Sequence, residues 1–119
     1  MVENKSEIRL KGMLGFAMRA GKVIIGTELV CSGMASGGKN RPRLVLLAHT
    51  ASDGTKKKIS TKAEFYGVDV LTVNIDSDEL GRILGKLYAP ATVAIIDDRF
   101  AEEIRSAVKM MTDVSDTDN

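Results

Sequence analysis

At 119 residues the chain has the size of one domain with one core, and 44% hydrophobic with 28% charged residues exclude a wholly disordered or fibrous chain. The net charge of +1 hides a division, because residues 1–62 carry 12 Lys and Arg against 4 Asp and Glu whereas residues 63–119 carry 5 against 12. A basic half of this kind can attract a polyanion, or it can be no more than solvated helix faces that happen to cluster.

Leu10, Met13, Leu14, Ala17 and Met18 fall at i, i+3, i+4, i+7 and i+8, the apolar stripe of a helix that Ser6 can cap and Gly21 stops. Val23, Ile24 and Ile25 form a short β-branched strand, after which Gly26-Thr27-Glu28 opens a second helix with a hydroxyl cap and an acid. That helix ends near Gly37-Gly38, and Gly37 to Pro42 is a turn. Leu44 to Ala48 is apolar without alternation, as expected for a central strand covered on both faces. From Ser52 or Asp53 a third helix turns Ile59, Ala63 and Tyr66 to one side and stops at Gly67. Val70 to Val73 is a strand, Ser77 caps a short helix that leaves at Gly85, and Thr92 to Ile96 is the last strand. Phe100, Ile104, Val108 and Met111 mark a closing helix. The alternation predicts a single α/β domain over residues 6–112, with helices on both sides of a small sheet. Residues 113–119 read as an acidic tail too poor in apolar residues to order itself.

Few residues point to catalysis. Gly33-x-x-x-x-Gly38-Lys39 has most of a phosphate-loop pattern, but Asn40 stands where Ser or Thr is needed. The stretch also follows a helix and leads to Pro42 and a strand, the reverse of the required context. Asp97-Asp98 is read as a cap for the closing helix, since no second carboxylate or His is identified to make an acid–base pair. The lone Cys31 reads as a small core residue and His49 as structural or surface-facing; together they make neither a disulfide framework nor a soft-ligand zinc site. No catalytic residue, metal or cofactor is expected. The longest aliphatic run has five members against the ~20 that cross a bilayer. The N-terminus, with Glu3 and Glu7 and no continuous apolar stretch, reads as neither signal nor transit peptide. A cytoplasmic protein without membrane contact is the expectation. What remains is Arg19-Ala20-Gly21-Lys22 followed by Gly26-Thr27: free N–H groups at a helix start with cations nearby suit a phosphate backbone, although any helix start offers such donors.

The order Gly15-x-Ala17-x-Arg19-Ala20-Gly21-Lys22-x-x-x-Gly26, then Leu44 to Ala48, Lys56-Lys57-Lys58, Tyr66-Gly67-Val68, Glu79-Leu80-Gly81-x-x-Leu84-Gly85-Lys86 and Val93-Ala94-Ile95-Ile96-Asp97 resembles the kink-turn RNA-binding ribosomal proteins. This superfamily is named for ribosomal proteins L-seven-Ae and L-thirty-e, and the likeness is greatest to its small bacterial members of the YlxQ type. The resemblance covers about residues 6–112. It implies a three-layer α/β/α sandwich with a small mixed four-stranded sheet, no enzymatic activity and no cofactor. It also implies binding of structured RNA, ribosomal RNA among the possible targets. Carried over by position, one RNA surface is Lys22, Gly26, Thr27, Glu28 and Ser32. The other is Leu87, Tyr88, Ala89, Pro90 and Ala91, with Tyr88 and Pro90 expected to be exposed. Strong binders open the second helix with Gly-x-Asn-Glu-x-x-Lys, where this chain has Gly26-Thr27-Glu28-Leu29-Val30-Cys31-Ser32. A carboxylate at Glu28 accepts but cannot donate and repels phosphate, and Ser32 removes a cation. The alternative reading is therefore a protein-interaction module on the same scaffold.

Overall fold

A computed structural model describes residues 5–117, with side chains to residue 110. Five helices and four strands alternate as α1 (Lys5–Arg19), β1 (Val23–Ile25), α2 (Thr27–Ser36), β2 (Leu44–Ala48), α3 (Asp53–Tyr66), β3 (Asp69–Val73), α4 (Ser77–Ile83), β4 (Thr92–Ile95) and α5 (Asp98–Thr117). The strands lie in the order β1-β4-β2-β3, so β4, last in the sequence, is interior in the sheet. β4 runs antiparallel to both neighbours, with Ile25 opposite Val93 and Leu44 opposite Ile95. β2 and β3 are parallel, joined by the α3 crossover.

The period-two alternation of strand side chains explains why β2 has no polar residue. Leu44, Leu46 and Ala48 join Val93 and Ile95 against α1, α4 and α5, where Leu10, Leu14, Leu80, Leu84 and Ile104 are buried. Val45, Leu47 and Ala94 face the other way, onto Val30, Cys31 and Met34 of α2 and Ile59 and Ala63 of α3. The sheet is therefore filled on both faces, and the molecule is the expected three-layer α/β/α sandwich. Truncating one of the fully buried Leu or Ile side chains to Ala removes about 2–5 kcal/mol. Arg9 to Glu103 at 2.8 Å and Lys11 to Glu79 at 2.6 Å pin α1 to α5 and α4.

Several boundaries differ from the sequence expectation. Ser6 does not precede α1 as its cap but is buried inside its first turn. Thr27 does not cap α2, whose N-cap is Gly26 with no side-chain hydrogen bond. α4 is capped one residue earlier than expected, by Asp76, whose carboxylate accepts from the Glu79 N–H at 2.8 Å. Ser77 instead shares a hydroxyl contact of 3.0 Å with Thr50. β4 ends at Ile95, although the Ile96 N–H still donates to the Lys22 carbonyl at 3.0 Å. α5 continues to Thr117, into the segment read as a tail, and residues 118–119 lie outside the described residues. The caps Ser52 and Asp97 stand where the sequence places them, accepting from the N–H groups of Thr55 and Phe100.

Candidate nucleic-acid interface

The antiparallel register of β1 and β4 decides what meets at one end of the sheet. Because Ile25 faces Val93, the residues after β1 lie beside those that enter β4. The Gly26 N–H donates to the Thr92 carbonyl at 2.9 Å, and the Thr27 and Thr92 hydroxyls are 2.8 Å apart. The start of α2 and the loop that feeds β4 are thus one continuous edge, although 65 residues separate Thr27 from Thr92.

At this edge Gly26 has φ 108° and ψ 140°, a conformation that a β-carbon disfavours. It turns the chain into α2 and leaves the first N–H groups of that helix without a capping side chain. Glu28 is exposed in the first turn and forms an ion pair with Lys58 of α3. Hydrogen bonding and charge from Lys58, with Lys62 adding its charge, hold the Glu28 carboxyl below its ordinary range, and the same pair holds the Lys58 ammonium above its own. Ser32 is exposed one turn further on.

The loop side is largely apolar. Leu87 and Tyr88 are exposed, as is Leu29 on α2. Leu29, Tyr88 and Lys86 line a shallow hollow of about 380 Å³ together with β1. Ala89 is exposed and Ala91 half-buried, the Ala91 carbonyl accepting from the Ala48 N–H at 2.9 Å. Pro90 departs from expectation. It is buried, because Gly81 of α4 has no side chain and lets the loop backbone settle directly on the helix.

Of the residues carried over by resemblance, the structure sets Gly26 and Thr27 against Thr92, directly after the 87–91 loop, while Glu28 turns to Lys58 of α3 and Ser32 lies one turn further along α2. Lys22 is elsewhere: it precedes β1, at the far end of that strand from Gly26, and faces Lys39, Arg43 and Asp97. Leu29, Lys58 and Lys86 belong to the edge but were not among the site residues carried over by resemblance. Lys58 and Lys86 stood in the quoted motifs and Leu29 in the altered helix start, but no spacing linked them to this edge. Among the described residues, no group of three or more His, Cys, Asp or Glu side chains is placed to hold a metal ion, and no helix is long and apolar enough to cross a membrane.

Residues 8–105 match the ribosomal protein L7Ae/L30e/S12e/Gadd45 family. An RNA-binding protein YlxQ of Bacillus subtilis is 38% identical over 94 residues, 79% of this chain and 89% of that protein. Its counterpart in Enterococcus faecium is 32% identical over 98 residues, 82% of this chain and 88% of the other. Among solved structures, a protein of unknown function from Bacillus halodurans superposes with a TM-score of 0.77 at 28% identity, covering 85% of this chain and 97% of that one.

Proposed function

The chain belongs to the ribosomal protein L7Ae/L30e/S12e/Gadd45 family, and on that premise we propose that it is a non-enzymatic RNA-binding protein that reads a sharply bent, kink-turn-like RNA with the edge built by the α2 start and the 87–91 loop. The observation that carries this reading is the junction of Gly26 and Thr27 with Thr92, which makes one surface from two distant segments. YlxQ relatives named as RNA-binding proteins support it.

Each part of the edge has a role in this reading. The uncapped N–H groups of α2 and the Lys62 and Lys86 ammoniums meet phosphate oxygens. Leu29, Leu87 and Tyr88 offer an apolar platform for bases that a bend has unstacked. Glu28 accepts from a base amino group. Its repulsion of phosphate is muted because Lys58 already neutralises it. Work on ribosomal RNA in the cytoplasm is the setting this function fits.

The test is a binding titration with a kink-turn RNA and a plain duplex of equal length, each at two salt concentrations. The bent RNA should bind more tightly, with affinity falling steeply as salt rises. Equal affinities would remove the claim to bent RNA, and no binding of either at low salt would overturn the function.

A further inference from the structure

The end of the sheet opposite this edge carries an open cleft of about 480 Å³ lined by four cations from separate stretches of chain. Lys22 enters from the start of β1, Lys39 from the 37–43 turn, Arg43 from the start of β2 and Arg99 from the first turn of α5. The two carboxylates present are already engaged. Asp97 caps α5 by accepting from the Phe100 N–H at 3.0 Å, and Asp98 lies 3.5 Å from an Arg43 Nη. Arg43 forms the floor: its other Nη donates to the Lys39 carbonyl at 3.1 Å, while its Nε is buried without a hydrogen-bond partner. Among the described residues, Lys22, Lys39 and Arg99 have no carboxylate partner.

Such a cluster works against the fold that holds it. Unpaired like charges repel one another, and Arg99 sits at the positive end of the α5 dipole, where a cation is disfavoured. A ligand that brings negative charge removes both penalties. The shape narrows its class, for the cleft is open and its cations are spread over separate elements, unlike the enclosed cage of converging donors that holds a small anion. A second hollow of about 480 Å³ shares Arg43 and Asp98 and continues to Arg41 and the half-exposed Tyr66. The Tyr66 ring stands edge-on to Phe65 at 4.8 Å, and Phe65 is 80% exposed. A line of cations that passes an exposed aromatic pair is the arrangement that follows a single strand, phosphates on the cations and bases on the rings.

We propose that this pole binds the phosphate backbone of single-stranded RNA and captures a strand that flanks the bent motif. The flanking-strand part rests on the function proposed above. The distance is short: the four residues from Gly26 back to Lys22 span only about 13 Å of extended chain, so an RNA seated on the edge needs a few nucleotides to reach the cleft.

The experiment compares the wild-type protein with the double variant Lys39→Ala/Arg99→Ala on three RNAs, as a function of salt. These are a minimal bent hairpin, the same hairpin with a ten-nucleotide single-stranded extension, and a decauridylate with no bent motif. Wild type should bind the extended hairpin more tightly than the minimal one, and the double variant should lose most of that advantage, with its affinity for the minimal hairpin unchanged. On decauridylate the log–log salt slope should be shallower in the variant by about 1–1.5, two phosphate contacts at roughly 0.7 each. Melting temperatures should agree, which excludes unfolding as the cause. Equal binding of decauridylate by the two proteins overturns the cleft as an RNA site. A decauridylate difference without any benefit from the extension overturns the flanking-strand role. Failure of both proteins on the minimal hairpin, with the decauridylate difference intact, refutes the edge and leaves the cleft standing.

Discussion

Gly81 is where the fold of the loop edge is most exposed to a single atom. A β-carbon there would lie 2.3 Å from the Tyr88 carbonyl oxygen and 3.3 Å from Pro90 Cδ, when ordinary contact begins at 3.4 Å. Gly81→Ala therefore has to push the loop back by ~1 Å, a displacement on the scale of those that overpacking forces on a backbone. The loop has little freedom to yield, because the Lys86 N–H donates to the Gly81 carbonyl at 2.8 Å and the Ala91 carbonyl accepts from Ala48 at 2.9 Å. Overpacking costs roughly 1–3 kcal/mol, against which Ala regains about 1 kcal/mol of helix propensity. The net destabilisation is about 0–2 kcal/mol, or a melting temperature lower by up to roughly 8 °C at about 4 °C per kcal/mol for a chain of this size. The control is Gly12→Ala in α1, where no atom beyond the chain neighbours and the helix's own nearby backbone lies within 4 Å of the new methyl; it should raise the melting temperature by a few degrees through propensity alone. Thermal unfolding separates the two, and RNA titration adds a second reading, since displacing Leu87 and Tyr88 should weaken binding only in Gly81→Ala. If Gly81→Ala stabilises as much as Gly12→Ala and binds RNA as wild type does, the loop is not seated on α4 as described.

Ser32→Lys should add one phosphate contact at the α2 start: tighter binding of bent RNA, a salt slope steeper by about 0.7–0.9 and an unchanged melting temperature. Because Lys58 already engages Glu28, the new ammonium is not needed there; an unaltered slope would mean that RNA does not pass this face. Thr27→Val should leave the buried Thr92 hydroxyl unpaired at a cost of about 1–3 kcal/mol. Placing Val at both positions should restore most of that stability, and denaturant unfolding of the single and double variants would expose any lack of coupling as simple additivity. For pH, the lowered folded-state value of Glu28 means that its pair with Lys58 contributes above the ordinary carboxylate value of 4.5 and fades as pH falls through the lowered one. Lys58, raised by the same pair, contributes below 10.5 and fades as pH rises through its raised value. An NMR titration should show the Glu28 midpoint moving up in Lys58→Met, and a midpoint that stays put would show the pair to be absent in solution.

What the sequence made legible was whatever depends on neighbours. Leu44 to Ala48 announced a strand with two covered faces, Asp97 announced the cap of α5, and Gly67 takes the left-handed conformation that ends α3. Thr27 and Ser77 misled because each is a hydroxyl at a helix start whose best partner, Thr92 or Thr50, is far along the chain. Pro90 misled because its exposure was carried over by resemblance, whereas the missing side chain of Gly81 lets the loop settle on α4 and bury it. The candidate site was half legible. Gly26, Thr27 and the 87–91 loop share one edge, but Lys22, four residues from Gly26, is carried to the other end by the extended rise of β1. Lys58 and Lys86 reach the edge through tertiary packing, which leaves no spacing pattern to find.

The interior position of β4 has a consequence during synthesis. Without β4, β1 has no partner in the sheet and β2 pairs only with β3, so neither Gly26 nor Thr27 has Thr92 to rest against. A growing chain therefore lacks this edge until residues 92–95 have been made and have inserted between strands made long before. In a half-made fragment the α2 start and the loop before β4 are not yet one surface, and that surface arrives late, with the closing of the sheet.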